Sequence, residues 1–245
     1  MTTAIEDTLY KRLEESIESG QPGIWIRTHE PEEALLTLGK LTKQYKDEWD
    51  LKIWDADLGL QEQNRSVNQP GEINKPAGAL SAVRALAALA RERYSRAVEE
   101  AHGGGSTLAE DEVSTILLLR NGHREFVNNG VTNKEMLMAV QHLFTLGKAY
   151  KCFLIILSYP GIEIPVELIE QFWVFDHELP DYESRKEIIT ELLESSDAKK
   201  PSDNHMDIIV KATGGLTRGQ VEAVCSLSLL TYKSLKESVI WRLKT

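Results

Sequence analysis

The sequence predicts an α/β protein with a parallel sheet covered by helices on both faces, followed by a smaller helical subdomain. Strand-sized apolar runs alternate with amphipathic helical segments over the first part of the chain, which is typical of parallel sheets. The runs at 113–119 and 152–157 are almost continuously apolar, as expected of strands buried on both faces. Strand-like runs stop after Tyr182. We therefore expect an α/β core over residues 1–180 and a helical subdomain over residues 181–245.

The predicted elements of the core follow each other in regular alternation. The first is a helix over residues 5–17, in which Ile5, Leu9, Leu13 and Ile17 recur at steps of four and form one apolar stripe. The other core elements are strands at 23–27, 51–54, 113–119, 152–157 and 173–175, helices at 31–45, 79–100 and 133–150, a short helical piece at 165–172, and a polar loop at 61–78.

Three helices are predicted in the second part of the chain. Asp181 is a suitable N-cap for the first, because its carboxylate can accept a free amide of the first turn. The polar segment 199–203 separates the first helix from the second. Thr217 is the predicted N-cap of the third helix, which should run from Arg218 to the end of the chain.

Composition and charge argue against several classes of protein. The chain has 245 residues, 42% of them hydrophobic and 27% charged, and its net charge of −10 disfavours a nucleic-acid-binding role. Cys152 and Cys225 lie in apolar runs without a CxxC motif or a His/Cys cluster, so we expect buried reduced thiols, and we predict no metal site. The N-terminus does not resemble a signal peptide, and no apolar run is long enough to cross a membrane. These features predict a cytoplasmic protein.

The segment 151–193 resembles the second half of an AAA-type ATPase core, from the sensor-1 strand to the small helical lid. The most specific part is LPDYESRKEII at 179–189. The resemblance implies an AAA-like (P-loop NTPase-like) parallel sheet sandwiched by helices, with a C-terminal helical lid-like subdomain.

The first strand is not followed by the phosphate-binding residues that the resemblance implies. A GxxxxGK[ST] loop wraps phosphates with backbone amides, while its Lys and Ser/Thr contact phosphate and magnesium. Here Thr28, His29 and Glu30 occupy the position, followed by Pro31 and two further glutamates, without glycine or lysine. Three carboxylates would repel a triphosphate. We interpret Thr28, His29 and Glu30 as a degenerate phosphate-loop position.

The other catalytic positions of the family also carry different residues. Arg120 and Asn121 follow the third strand, where the family has the acidic pair that orients magnesium and activates water; arginine cannot bind magnesium and asparagine cannot act as a base. Ser158 stands at the sensor-1 position and Arg218 at a sensor-like position of the lid helix. Glu170–Gln171 replace the arginine finger. We therefore predict that the chain alone has no catalytic residues.

This combination is similar to the N-terminal, degenerate ATPase-like domain of the chloroplast and cyanobacterial open-reading-frame AAA ATPases, which have bacterial and phage relatives. The matching blocks are at 22–28, 31–35, 51–54, 116–123 and 158–165. In that family an intact ATPase domain follows, and the helical pattern of this chain continues to its last residues. The resemblance implies a non-catalytic module for oligomerisation, regulation or partner recognition. ATP and magnesium would bind only to an associated AAA ATPase domain, in cis or in trans, and the module could form homo-oligomers. A plastid member would lie in the stroma.

Two alternative functions remain open from the sequence. The chain could bind or hydrolyse nucleotide at a rearranged site, with Asp55 and Asp57 as metal ligands at the end of a strand. It could also be a stand-alone adaptor that binds proteins through its acidic surface. His123 and Arg124 lie just beyond the third strand, at the edge where open α/β sheets bind ligands.

The five tryptophans divide into two groups. Trp25, Trp54 and Trp173 lie on predicted strands, so we expect them in the core. Trp49 and Trp241 lie in helical or loop context, where burial and an interface role are about equally compatible with the sequence.

Overall fold

The computed structural model describes residues 4–62, 78–102, 113–128, 130–196, 198 and 200–244. These residues form two compact units. The larger unit is Tyr10–Asp176, and the smaller one comprises His177–Thr245 together with the start of the first helix through Leu9.

Eight α-helices and eight strands are assigned within the described residues. The helices are α1 (Ala4–Glu18), α2 (Pro31–Gln44), α3 (Ala79–His102), α4 (Lys134–Gly147), α5 (Tyr182–Ser195), α6 (Asp203–Ala212), α7 (Arg218–Tyr232) and α8 (Glu237–Lys244). The strands are β1 (Gly23–Thr28), β2 (Trp49–Asp55), β3 (Gly59–Glu62), β4 (Ser114–Leu119), β5 (Val127–Asn128), β6 (Val131–Thr132), β7 (Cys152–Ser158) and β8 (Trp173–His177). A 3-10 helix at Gly122–Phe126 follows β4.

The central sheet has the strand order β3-β2-β4-β7-β1-β8. The pairs β1–β7, β7–β4 and β4–β2 are parallel, which confirms the predicted α/β class. β3 is antiparallel to β2 and begins ahead of the predicted loop at 61–78, so the sheet is mixed at this edge. The Asp55 carboxylate closes the turn between β2 and β3 by accepting the backbone N–H of Asp57 at 2.8 Å and of Leu58 at 3.3 Å.

The central strands are buried on both faces. Every residue of β4 and β7 is buried, as their continuous apolar sequences predict. On one face, Trp25 of β1 packs against Phe126 with ring centroids 5.8 Å apart and edge-on against Phe172 at 5.3 Å. α3 and α4 cover the same face, and their apolar residues join this cluster. The core thus fixes the middle strands of the sheet, and the candidate site lies at the carboxyl ends of these strands.

Two predicted helices differ from the structure. Residues 166–171 form consecutive turns instead of a short helix. The predicted last helix is broken between α7 and α8, where Lys233 adopts a left-handed conformation with φ of 54°. The Ser228 hydroxyl holds this break because it donates to the Ser234 carbonyl at 3.0 Å and accepts the Lys236 N–H at 2.8 Å.

The tryptophans follow the prediction in part. Trp25 and Trp54 are buried, but the prediction for Trp173 is wrong: it begins the edge strand β8 and is 46% exposed. Trp49 is buried and stacks on Tyr45 with ring centroids 4.5 Å apart. Trp241 in α8 is 54% exposed.

Candidate functional site

The candidate site lies at the carboxyl ends of β1, β2, β4 and β7. Ligands of open α/β sheets bind outside this edge, because the loops that follow the parallel strands converge there. β2, β4, β7 and β1 are neighbours in the sheet, so the edge brings together residues that are far apart in sequence. One such link is the backbone N–H of Arg120, which donates to the Trp54 carbonyl at 3.0 Å.

The connection between β1 and α2 consists of only His29 and Glu30. Thr28 is buried, and its hydroxyl oxygen accepts the backbone N–H of Glu30 at 2.8 Å, which closes the turn. Pro31 is the first residue of α2 and has no N–H, while the Glu30 carbonyl accepts the N–H of Ala34 at 3.2 Å. A phosphate-wrapping GxxxxGK[ST] loop is longer than this connection and presents several free amides. The connection here is two residues long, and Pro31 contributes no amide to it.

Arg120 lies at the end of β4 and forms ion pairs with two neighbouring elements. Its Nη2 pairs with the Glu32 carboxylate in the first turn of α2, and its Nε lies 3.7 Å from Asp55 Oδ2 at the end of β2. The end of β4 thus carries a positive charge that is paired with carboxylates of α2 and β2. Since a guanidinium has only donors, it cannot bind a cation.

Asn121 and Gly122 shape the chain directly after Arg120. Asn121 has a φ of 54°, a left-handed conformation that asparagine tolerates better than most residues, and its carbonyl accepts the Arg124 N–H at 3.1 Å. A Cβ on Gly122 would lie 2.6 Å from Leu119 Cβ, so the turn requires glycine there. Asn121 therefore acts as the turn residue that begins the 3-10 helix.

Ser158 ends β7 and is part of the core. Its hydroxyl accepts the indole N–H of Trp25 at 2.7 Å and lies 3.4 Å from the Ile26 carbonyl, to which it donates. The side chain is buried within the sheet. A sensor residue would have to point its polar group at a bound phosphate, whereas both hydrogen bonds of this hydroxyl are made inside the protein.

His123 packs beside this edge. Burial lowers the pKa of His123, a hydrogen bond with the Leu157 carbonyl raises it, and Arg124 lowers it again, with a net decrease. Its ring lies edge-on to Tyr159 with centroids 6.3 Å apart, and Nδ1 is buried without a hydrogen-bond partner in the described part of the chain. The lowered pKa favours a neutral imidazole at physiological pH.

Asp55 and Asp57 do not form a metal site with other ligands in the described residues. No group of three or more His, Cys, Asp or Glu side chains that could hold a metal ion occurs within the ranges given above. One Asp55 oxygen accepts the amides of the β2–β3 turn, and the other faces Arg120. Both Asp55 carboxylate oxygens are thus engaged within the protein.

Arg218 lies in the smaller unit. Its guanidinium pairs with Glu191 of α5 at 3.2 Å and with Glu222 of α7 at 3.1 Å. The predicted N-caps Thr217 and Asp181 are confirmed, since Thr217 forms a capping box with Gln220 and Asp181 accepts the Ser184 N–H. Arg218 thus links two helices of this unit.

Three ion pairs of the site were not predicted. Arg120 pairs with Glu32 and with Asp55, and Arg27 near the end of β1 pairs with Asp176 of β8, with Arg27 Nη1 3.8 Å from Asp176 Oδ1. The available signal was the presence of opposite charges at the ends of different strands. That signal becomes specific only when the strand order is known.

Comparisons with known proteins identify the fold and a family. Residues 9–177 match the family model described as SpoVK-like AAA ATPase, N-terminal domain. Domain III of the replication initiation protein DnaA from Thermotoga maritima is similar in structure, with a TM-score of 0.51 at 14% identity over 99% of this chain and 92% of that one. The FIGL-1 AAA domain, solved in complex with ADP, has a TM-score of 0.52 at 13% identity over 95% of this chain and 69% of that one. No curated protein matches the sequence.

Proposed function

Since the chain belongs to the family of SpoVK-like AAA ATPase N-terminal domains, we propose that it is a non-catalytic AAA-like module. Its role is to support assembly, regulation or partner recognition of an active AAA ATPase domain. That domain, in cis or in trans, would bind ATP and magnesium. We further propose an affiliation with the plastid, cyanobacterial and phage relatives, which would place the module in the cytoplasm or stroma.

The observation that carries the proposal is the connection from β1 to α2. It contains only His29 and Glu30, the hydroxyl of the preceding Thr28 accepts the Glu30 N–H, and Pro31 removes an amide at the start of α2. Nucleotide hydrolysis on this fold depends on positioning and charge stabilisation of the phosphates by this loop. Without such a loop, the fold keeps its shape but has no means to hold a triphosphate.

The charges at the same edge support the proposal independently. A metal–phosphate complex needs acidic groups to hold the magnesium ion, and the end of β4 instead carries Arg120, which is neutralised by Glu32 and Asp55. The charged side chains at the carboxyl ends of β2 and β4 are thus paired with each other or with α2.

The test is nucleotide binding by the chain itself. We expect no change in melting temperature when ATP with magnesium is added, because the chain should not bind ATP. The assay is sensitive enough, since a bound ligand at about one hundred times its dissociation constant would add roughly 2.7 kcal/mol of stability. Equilibrium dialysis with radiolabelled ATP should likewise show no retention. An AAA ATPase domain with an intact GxxxxGK[ST] loop, measured in parallel, establishes that both assays detect binding.

A saturable, magnesium-dependent rise in melting temperature would contradict the proposal. If Arg120→Ala or Arg27→Ala then abolished the rise, nucleotide would be assigned to the carboxyl edge of the sheet, in favour of the rearranged-site alternative.

A further inference from the structure

An apolar groove lies between α5 and α7 of the smaller unit. This α5–α7 groove has a volume of about 500 Å³. α5 contributes Leu192 and its C-cap Ser196 to the lining, and α7 contributes Ser226, Leu229, Leu230 and its C-cap Lys233. The groove thus offers mainly apolar surface, with polar groups at a few defined positions.

The groove is open to solvent along α7. Leu230 is 71% exposed, and Leu227, one turn earlier on the same side of the helix, is 37% exposed. A pocket for a small molecule encloses most of its ligand, whereas an open apolar groove fits the side of another helix. The stretch of α7 from Ser226 to Lys233 extends over about 10 Å. This length matches apolar anchors of a partner helix at spacings of i, i+4 and i+7.

The two walls of the groove are held in place from within the unit. Leu229 belongs to the buried cluster that also contains Ile189 of α5 and Cys225 of α7. Arg218, at the start of α7, pairs with Glu191 of α5 at 3.2 Å. Because the groove is formed before a partner arrives, little conformational entropy is lost when a partner binds.

Lys233 is the one charged residue among the described residues that line the groove. Its side chain is exposed and has no carboxylate partner in that part of the chain. The residue has a φ of 54°, a left-handed conformation in which helices commonly end on glycine, because a Cβ is strained there. The chain therefore carries a lysine where glycine would be less strained, which indicates a role for its charge.

α5 and α7 both end at the groove, since the C-caps Ser196 and Lys233 line it together. The carboxyl end of a helix carries a partial negative charge, which favours the amino end of another helix beside it. First turns of helices are themselves enriched in aspartate and glutamate, and such a carboxylate would lie within reach of Lys233. The groove therefore fits a helix that begins next to Lys233 and runs antiparallel to α7.

The net charge of this part of the chain permits an acidic partner. Residues 177–245 contain eleven Asp and Glu against ten Lys and Arg, so nine of the ten net negative charges lie in the preceding residues. Long-range repulsion of an acidic segment is accordingly weak at the smaller unit. The attraction of Lys233 can then decide the orientation of the bound helix.

We propose that the α5–α7 groove binds an amphipathic helix of a partner protein. The helix begins beside Lys233 with an acidic first turn, and its apolar residues at i, i+4 and i+7 cover Leu229 and Leu230. The inference rests on the partner-recognition role proposed above and deepens it, because it assigns that role to one surface and to one kind of partner segment.

Three synthetic peptides test the proposal on the full chain. Each has about 16 residues, enough for measurable helicity, with acetyl and amide termini and leucines at i, i+4 and i+7 among alanines and glutamines. The first carries two glutamates in its first turn, the second carries the same glutamates in its last turn, and the third carries two lysines in its first turn. Fluorescence anisotropy of labelled peptides should show that the first binds about fivefold more tightly than the second. Circular dichroism of the free peptides corrects for differences in helicity.

Lys233→Glu should reverse the preference for charge. We expect the variant to bind the peptide with first-turn glutamates about tenfold more weakly than the original chain does, and to bind the peptide with first-turn lysines more tightly. Lys236→Glu is the matched control, because it makes the same change at an exposed lysine that does not line the groove. It should leave both affinities unchanged.

Lys233→Gly separates a binding role from a structural one. Glycine adopts the left-handed conformation without a Cβ clash, so the melting temperature should rise while the affinity for the first peptide falls severalfold. A lysine that acted only on the dipole of its own helix would give a lower melting temperature and an unchanged affinity.

Leu230→Ala tests the apolar part of the groove. We expect about a tenfold loss of affinity for the first peptide, because Leu230 lies where the partner helix would cover it. Leu243→Ala removes a leucine of α8 that is 47% exposed and does not line the groove, so it should have no effect. Circular dichroism and melting temperature, measured for every variant, separate loss of binding from loss of fold.

Four outcomes would overturn the proposal. The first peptide could show no saturable binding up to about 1 mM. Lys236→Glu could weaken binding as much as Lys233→Glu, or Leu243→Ala as much as Leu230→Ala. Sedimentation velocity could show that Leu230→Ala changes self-association of the chain, which would assign the groove to a second copy. Because no nucleotide is used, failure of this proposal would leave the nucleotide-binding test unaffected, and the reverse also holds.

Discussion

The indole Nε1 of Trp25 in β1 donates a hydrogen bond of 2.7 Å to the Ser158 hydroxyl at the end of β7. The two strands are parallel neighbours, and both residues are buried. A buried indole N–H needs an acceptor, because leaving it unpaired costs free energy. Ser158 therefore stabilises the core at the position that the sequence resemblance assigns to a phosphate sensor.

Ser158→Ala should lower the free energy of unfolding by about 1–3 kcal/mol, because it leaves the Trp25 N–H buried and unpaired. Trp25→Phe should also destabilise, through the lost volume. The double variant should be less unstable than the sum, with a coupling of about 1 kcal/mol in urea unfolding. Ser195→Ala, at an exposed serine of α5, is the control and should change stability by less than about 0.5 kcal/mol. A coupling energy of zero would show that the hydrogen bond is not formed.

Arg93 should contribute more to stability than any exposed arginine of the same helix. Its guanidinium is buried and donates to the Tyr150 carbonyl at 2.8 Å, the Val113 carbonyl at 3.0 Å and the Thr115 hydroxyl at 3.0 Å. Arg93→Met keeps the aliphatic stem but leaves these acceptors unpaired, so we expect a loss of about 3–5 kcal/mol in urea unfolding.

Arg96→Met is the matched control for Arg93→Met. Arg96 lies in the same helix with its side chain 52% exposed, and its pair with Glu92 spans 3.9 Å. We expect a change of less than about 1 kcal/mol. Similar losses for the two variants would contradict the role assigned to Arg93.

The strands that were predicted best are those whose sequence is compatible with only one position in the sheet. β4 and β7 are apolar throughout, and such strands are stable only in the covered middle of a sheet. β3 has no such run, because an edge strand is held mainly by backbone pairing to its single neighbour. The break after α7 was missed for a similar reason: no glycine or proline marks it, and it depends on the hydroxyl of Ser228.

At the candidate site, too, some features can be predicted from the sequence and others depend on the fold. The residues that follow the first and third strands can be read from the sequence, because those strands are recognisable. What those residues contact cannot be read in this way. Arg120 and Glu32 are 88 positions apart, and their ion pair depends on β4 ending next to the start of α2. Likewise, the hydrogen bond between Trp25 and Ser158 depends on the register of β1 against β7.

Gly147 at the end of α4 should not tolerate a side chain, although alanine is the better helix former. A Cβ there would lie 2.7 Å from the Cys152 carbonyl oxygen, which belongs to the backbone of β7 and cannot move freely. We expect Gly147→Ala to destabilise by about 1–3 kcal/mol. Gly219→Ala in the first turn of α7 meets no atom within 4 Å, so it should be neutral or stabilising by up to about 1 kcal/mol. Thermal unfolding of both variants checks the contrast, and a stable Gly147→Ala protein would contradict it.

Neither cysteine should react with thiol reagents in the native protein. Cys152 and Cys225 are free and buried, and burial raises the pKa of Cys225 to about 12. Because the thiolate is the reactive form, labelling with Ellman's reagent at pH 8 should be negligible. In urea, both cysteines should react within minutes. Rapid labelling of one thiol in the native protein, assigned with Cys225→Ser and Cys152→Ser, would show that its site opens to solvent.

His123 should make the stability of the protein depend on pH near neutrality. Burial lowers its pKa below the ordinary value of 6.5 in the folded state, although the bond to the Leu157 carbonyl opposes the shift. As the pH falls below about 6.5, the unfolded chain binds a proton that the folded chain does not, and the free energy of unfolding decreases. Above that pH both states are neutral and the contribution is fully present.

Burial also lowers the pKa of His177, so the original chain contains both effects. The difference between the original chain and His123→Gln isolates one of them: urea unfolding of the variant should lose less stability between pH 7.5 and 5.5. Equal slopes for the two proteins, or an NMR titration of the His123 ring with a midpoint above 6.5, would contradict the prediction.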